Sequence, residues 1–286
     1  MATYQWFPGH MTRSIRQIEE QLRLIDLIIE IVDARIPYSG RNPELDRLAG
    51  GRQRMILFGK TDLADPEATE EWMDYFREKG ITPFSCDLRD TGAVKKLTPK
   101  IREVCKEKIE RDRRRGIMNR PVRAMAAGIP NVGKSTFINS FAGSSTLKTG
   151  NKPGVTKGKQ WIKISREIEL MDTPGLLWPK FEDQEVGLKI ALIGSMPDAI
   201  LNTEELAGEL IHVLGARYPE AIEGRYGKDM PSGPADILME IALRRGCLIK
   251  GGAPDTEKAS ALLLDDFRTG RLGRMTLERP GEVKFS

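Results

Sequence analysis

At 286 residues, 40% of them hydrophobic and with a net charge of +4, the chain suffices for one large or two ordinary domains around a buried core. No apolar run reaches the roughly 18 residues of a membrane-spanning helix, and the first residues carry no apolar signal core, so a cytoplasmic protein without a membrane partner is expected. Cys86, Cys105 and Cys247 lack metal spacing, and His10 and His212 are too few for a His-rich metal centre.

In chain order, Ile15, Ile18, Leu22 and Ile25 follow helical spacing after Thr12, a capping residue type. Residues 27–35, LIIEIVDAR, form a short β-branched apolar run ending in a polar turn, and RMILF at 54–58 is a second one. Residues 65–80 read as a helix, with Pro66 in its first turn and Gly80 at its stop. ITPFS at 81–85 is a third strand. The spacing from Thr91 to Gly116 predicts one long basic helix that Pro99 starts or kinks. Further strands are predicted at VRAMAAG (122–128), KQWIKIS (159–165) and IELMD (168–172), with a helix beginning at TFINSF (136–141). Strands alternating with helices imply right-handed crossovers and a doubly wound, mostly parallel α/β sheet.

Past residue 179 the texture changes. Segments 183–195, 203–219, 218–227, 233–247 and 256–273 all carry helical periodicity broken by Gly or Pro. The expected organisation is an α/β domain over 1–179 and a smaller all-helical domain over 180–286. No acidic residue occurs between Asp112 and Glu167, a stretch that follows the basic helix. Such a block favours a polyanion, and Lys106, Lys108, Arg111, Arg113, Arg114 and Arg115 are the candidate contacts to a nucleic-acid backbone. A solvated helix face is the plainer reading of the same charges.

AGIPNVGKST carries Gly128, Gly133, Lys134 and Ser135 in the spacing G-x-x-x-x-G-K-[ST], after an apolar strand and before a helix start. The two glycines let backbone N–H groups turn inward on phosphate oxygens. Lys134 places a point charge on the β and γ oxygens, and Ser135 offers a hydroxyl to Mg2+. Asn131, Val132 and Thr136 complete this nucleotide loop. In LMDTPG, Asp172 ends a strand where an outer-shell Mg2+ carboxylate is wanted, and Gly175 can present its N–H to the γ-phosphate. Between them, NKPGVTKG holds Thr156, whose hydroxyl and carbonyl suit a switch that senses Mg2+ and γ-phosphate.

A base clamp is expected upstream, in FGKTD at 58–62. The Asp62 carboxylate can accept both the N1–H and the N2 amino group of guanine, which adenine cannot match. The methylene stem of Lys60 can cover the purine face. The position ahead of Lys60, where an Asn is customary, holds Gly59, so a looser clamp is expected; Thr61 completes the loop. Ser85 and Cys86 in SCD end a strand, and the Cys86 N–H would meet guanine O6. Clamp before P-loop is a rotation of the customary order, which a circular permutation of the chain explains. It sends the segment after Gly175 straight into the helical region, where nucleotide state would be transmitted.

With WFPGHM, DARIP, PNVGKST, PGVTKG and DTPGLLWP in place, the sequence resembles the circularly permuted ribosome biogenesis GTPase A family over nearly its whole length. The resemblance implies GTP hydrolysis that assists late maturation of the large ribosomal subunit, ribosomal RNA as a contact, and an RNA-binding helical module. DNA is not an expected partner. It also suggests K+ beside Asn131. The residue after Gly175 is Leu176, which cannot hydrogen-bond an attacking water, so the catalytic group must come from elsewhere. His10, on the Pro8–Gly9 turn, is the leading candidate beside Lys134 and Thr156. Two other readings stay open at this point: a nucleotide-gated RNA-binding protein with negligible turnover, and an ATP-using P-loop protein.

Overall fold

The computed structural model describes residue 4 and residues 19–143, 160–173, 175, 177–178 and 181–283. His10, Thr156 and Leu176 lie outside the described residues, as does most of the first predicted helix. Among the described residues six strands, β1 (Leu27–Asp33), β2 (Gln53–Gly59), β3 (Thr82–Ser85), β4 (Val122–Ala127), β5 (Gln160–Lys163) and β6 (Ile168–Asp172), form one sheet in the order β3-β2-β1-β4-β6-β5. All neighbours run parallel except β5, which lies antiparallel to β6 at the edge. β1 is flanked on both sides and all seven of its residues are buried, as a strand covered on both faces requires.

The helices follow from caps and breaks written locally. α1 (Pro43–Ala49), which the periodicity does not reveal, starts where the Asn42 side chain accepts from the Glu44 N–H. α2 (Pro66–Glu78) has Pro66 at its first position, and the Asp65 carboxylate accepts from the N–H groups of Glu67 and Ala68. The single basic helix predicted from Thr91 to Gly116 is instead three: α3 (Thr91–Lys95), α4 (Leu97–Val104) and α5 (Lys106–Arg114). Pro99 has no N–H for the Lys95 carbonyl four residues back, and the first break falls there, at Lys96. α6 (Lys134–Ala142) follows β4 through the P-loop.

The chain then forms α7 (Gln184–Leu192), α8 (Thr203–Arg217), α9 (Glu220–Tyr226), α10 (Pro234–Arg245) and α11 (Thr256–Arg268). α8 is the centre of this bundle and packs against the other four. One continuous apolar core runs from one face of the sheet into the bundle, including Phe137, Leu170, Phe181, Ile190, Leu210 and Leu263. Tyr4 belongs to it: its N–H donates to Gln184 Oε1 (2.9 Å), and a Cβ on Gly187 of α7 would stand 2.8 Å from the Tyr4 Cβ.

The opposite sheet face is covered by a second cluster of Val32, Ile56, Phe58, Trp72 and Phe76. Trp72 is fully buried, stacks on Phe76 (centroids 5.8 Å apart) and donates its Nε1–H to the Glu278 carbonyl at 3.0 Å. The chain beyond α11 has thus returned from the bundle to lie along α2. Trp72→Ala is expected to cost about 3–5 kcal/mol in urea unfolding, and Trp72→Phe, which keeps an aromatic ring but strands the Glu278 carbonyl, about 1–3 kcal/mol.

Candidate functional site

Parallel strands in register end together. Asp33 pairs with Gly59, Phe58 with Ser85, and Ala126 with Asp172, so the segments after β1, β2, β3, β4 and β6 all leave one edge of the sheet. Carboxyl-terminal strand edges are where open α/β sheets bind ligands. Segments far apart in sequence, and in a rotated order, are brought to one place by this register alone.

The loop after β4 is backbone held close to backbone. A Cβ on Gly128 (φ 152°) would lie 2.4 Å from the Ile31 carbonyl oxygen, so no larger residue fits. Asn131 (φ 61°) and Gly133 (φ 99°) also take left-handed backbone, the turn that points successive N–H groups inward. Gly175 comes to the same place: its Cβ would stand 2.9 Å from Pro130 Cα and 3.0 Å from Lys134 Nζ. Ser135 and Thr136 are half-buried in the first turn of α6, and Asp172 is buried at the end of β6. The neighbouring Thr173 hydroxyl donates to the Ala126 carbonyl (2.7 Å), which fixes β6 to β4 there.

Lys134 is buried, and its ammonium donates to the carbonyls of Gly128 (3.1 Å) and Ile129 (2.8 Å) in its own loop. Burial lowers its pKa to about 8 against the opposing pull of Asp172. A phosphate would restore the charge that burial penalises.

Around the predicted base clamp the structure adds residues that sequence reading left unassigned. Lys60 takes left-handed backbone (φ 54°) and its ammonium lies 3.1 Å from Asp33 Oδ2. Asp33 is fully buried and receives Arg35 at both oxygens, Nε to Oδ1 at 2.9 Å and Nη2 to Oδ2 at 2.8 Å. Burial alone would raise the Asp33 pKa, but Arg35 and Lys60 outweigh it and hold the carboxyl well below the usual range. Asp62 is partly exposed and pairs with Arg89 Nη2 at 2.9 Å; Arg89 also grips Asp87 (2.7 Å). Burial pushes the half-buried Cys86 thiol up to about 11, so it stays neutral and leaves its backbone as the polar group.

Gly59 is where sequence and structure differ most usefully. Without the customary Asn, the clamp loop approaches the P-loop by backbone: a Cβ on Gly59 would be 3.1 Å from the Val132 carbonyl oxygen and 2.7 Å from Leu88 Cδ1. The same Leu88 methyl stands 3.2 Å from the Cβ position of Gly133. Leu88, buried, therefore wedges the loop after β3 between the clamp and the P-loop.

The P-loop also touches the bundle. Asn131 Nδ2 donates to the Gly194 carbonyl (2.8 Å), and the Ser195 hydroxyl donates to the Pro130 carbonyl (2.6 Å). Of the candidate nucleic-acid contacts, Lys108 must be withdrawn. It is buried and bonded to Asp26 (3.3 Å), Asp112 (3.1 Å) and the Pro121 carbonyl, so it fastens α5 to the sheet. Lys106, Arg111, Arg113, Arg114 and Arg115 are exposed, and the last of them precede β4, which places them toward the strand edge opposite the site.

A family model described as 50S ribosome-binding GTPase matches residues 123–222, from β4 through the P-loop into α9. "Ribosome biogenesis GTPase A" of Priestia megaterium is 44% identical over 99% of both chains. The protein of that name from Thermotoga maritima is 30% identical over 97% of this chain and 95% of its own. "Mitochondrial ribosome-associated GTPase 1" of Xenopus tropicalis is 31% identical over 96% and 94%. Among solved structures, GDP-bound YlqF superposes with a TM-score of 0.70 at 25% identity, over 93% of this chain and all of that one. GNP-bound YlqF from T. maritima gives 0.66 at 26% identity over 94% and 98%.

Two outcomes follow from the geometry. Since Lys134 is largely charged at pH 7 and largely neutral at pH 9, and phosphate contact raises its pKa, nucleotide binding near pH 8 takes up a fraction of a proton. Affinity should fall as pH climbs through 8, and calorimetry in buffers of different ionisation enthalpy reads the uptake. Gly59→Asn, which restores the customary residue, should destabilise by about 1–3 kcal/mol in thermal unfolding through overpacking against Val132 and Leu88.

Proposed function

This chain belongs to the ribosome biogenesis GTPase A family and hydrolyses GTP, and from that premise we propose that its hydrolysis assists late maturation of the large ribosomal subunit, with ribosomal RNA as a contact. The observation that carries the nucleotide part is the meeting of Lys134, Gly175, Asp172, Gly59 and Ser85 along one strand edge. The ribosomal part is supported by the names of relatives that match along nearly the full length.

In this reading Lys134 exchanges the Gly128 and Ile129 carbonyls for the β- and γ-phosphate oxygens. The Gly175 N–H donates to the γ-phosphate, which its closeness to Lys134 supports. The oxygen donors Ser135, Asp172 and Thr156 suit Mg2+, a hard cation, directly or through water. That ion would offset negative charge developing on the phosphates. Asp62 accepts from guanine N1–H and N2–H, the Lys60 stem covers the purine, and the Cys86 backbone N–H, next to Ser85 at the end of β3, meets O6. Thr61, Val132, Gly133 and Thr136 line the nucleotide by backbone. Asn131 has its amide nitrogen engaged by Gly194, which leaves Oδ1 as the atom K+ would meet. His10 orients the attacking water that Leu176 cannot hold.

The chain is organised, on this proposal, as a GTPase region to residue 179 and an RNA-binding helical region over 180–286. No helix among the described residues is long and apolar enough to cross a membrane, and cytoplasmic ribosomes are its proposed setting. Exposed Lys106, Arg111 and Arg113 to Arg115 are proposed to add sequence-independent backbone contacts that weaken steeply with salt.

GTP turnover measured with immature and mature large subunits, at fixed salt, tests the whole. Immature subunits should stimulate the native chain, and His10→Ala should bind GTP normally yet hydrolyse it at least severalfold more slowly. Equal turnover with and without subunits would refute the ribosomal role. An unchanged His10→Ala rate in both settings would remove His10 from the chemistry.

A further inference from the structure

We propose that the segment after α11, and Arg274 above all, positions the guanine-reading loop. This rests on the reading of Asp62 as the base-selecting carboxylate. Residues 60–65 have little internal support: the turn is closed by the Leu63 N–H donating to the Lys60 carbonyl (2.9 Å), and Lys60 itself holds left-handed backbone that favours glycine. Four more of its backbone groups, the carbonyls of Thr61, Leu63 and Ala64 and the N–H of Asp65, are taken by a stretch more than 200 residues away. Arg274 Nη2 donates to the Thr61 carbonyl and its Nε to the Ala64 carbonyl, each at 2.9 Å, the former across a separation of 213 residues. The Met275 N–H donates to the Leu63 carbonyl (2.9 Å), and the Thr276 hydroxyl accepts from the Asp65 N–H (3.2 Å).

Asp62 therefore lies between two residues whose carbonyls are both gripped from outside the loop. Bidentate recognition needs the carboxylate plane fixed to about 0.5 Å, which a free surface turn does not supply. The gripping segment is in turn tied to two other places. The Leu277 N–H donates to the Arg35 carbonyl (2.8 Å), beside the buried Asp33–Arg35 pair. The Tyr218 hydroxyl, just past α8, donates to the Thr276 carbonyl (3.1 Å) and accepts from its N–H (2.9 Å). The helical bundle, the segment and the base loop form one hydrogen-bonded series. Coupling is reciprocal, so whatever displaces the bundle loosens the base, and base occupancy stiffens the bundle.

Arg274 is exposed, whereas Met275, Thr276, Leu277 and Glu278 are buried, so Arg274→Ala removes two hydrogen bonds without opening a cavity. The test uses the full chain and dissociation constants for GDP and, by competition, for ADP, which reports the phosphate loop alone. Arg274→Ala should weaken GDP at least fivefold and leave ADP within twofold, with Arg274→Lys in between. A GDP-to-ADP ratio unchanged within twofold, including the case where both weaken together, overturns the proposal. Asp62→Asn separates the levels. If it erases the preference for GDP while Arg274→Ala does not, the positioning role alone fails; if it too leaves the preference intact, the clamp itself is elsewhere.

Discussion

A single buried carboxylate organises the site. Asp33 ends the central strand with no exposure to solvent, and a lone charge there would cost several kcal/mol. Arg35 meets both of its oxygens and Lys60 meets one. Those two cations are what join the elements: Lys60 opens the base loop, and Arg35 extends its Nη1 to the carbonyls of Phe267 (3.4 Å) and Arg268 (3.3 Å) at the end of α11, with the guanidinium over the Phe267 ring. A helix carboxyl end accepts positive charge well, since its last carbonyls lack partners. Strand end, base loop and bundle thus share one charge-compensated centre.

Around that centre, closeness is achieved by leaving side chains out. Gly59, Gly128 and Gly175 each occupy positions where a Cβ would meet backbone atoms at 3.1 Å or less. The absence of the customary Asn at residue 59 reads, from sequence, as a loss of attachment between clamp and P-loop. In three dimensions the attachment takes another form, with backbone against backbone and the Leu88 side chain filling the angle between them. A contact made by shape is less directional than an amide's hydrogen bonds, yet harder to separate without opening a void.

Much of this was legible locally. The G-x-x-x-x-G-K-[ST] loop, D-x-P-G, GKTD and SCD each end an apolar run, so strand register was enough to gather them. Pro66 and Gly80 at the two ends of α2 and the glycine stop after α5 were equally plain. What stayed hidden depends on long-range contact: Leu88 looks like any loop leucine, and nothing near Arg274, Gly194 or Ser195 in sequence points to the nucleotide loops. Asp33 and Arg35 stood in a recognised motif whose reason, a compensated buried charge, only the fold supplies. Lys108 departs from its expected role because a cation in a basic helix reads as solvated until its aspartate partners, buried Asp112 and half-buried Asp26, are seen. The break at Lys96 was foreseeable from Pro99, though its placement was not.

The bond from Arg274 to Thr61 also bears on how the molecule is made. Translation delivers Thr61 first, and 213 residues must be added before its arginine partner exists. At about 5–20 residues per second that interval is roughly ten to forty seconds. Throughout it, a nascent chain carries the loop after β2 without the hydrogen bonds from Arg274, while the central strands are already available to pair. If Arg274 positions the base loop as proposed, selectivity for one base is among the last properties this polypeptide acquires, after its sheet and after its phosphate cradle.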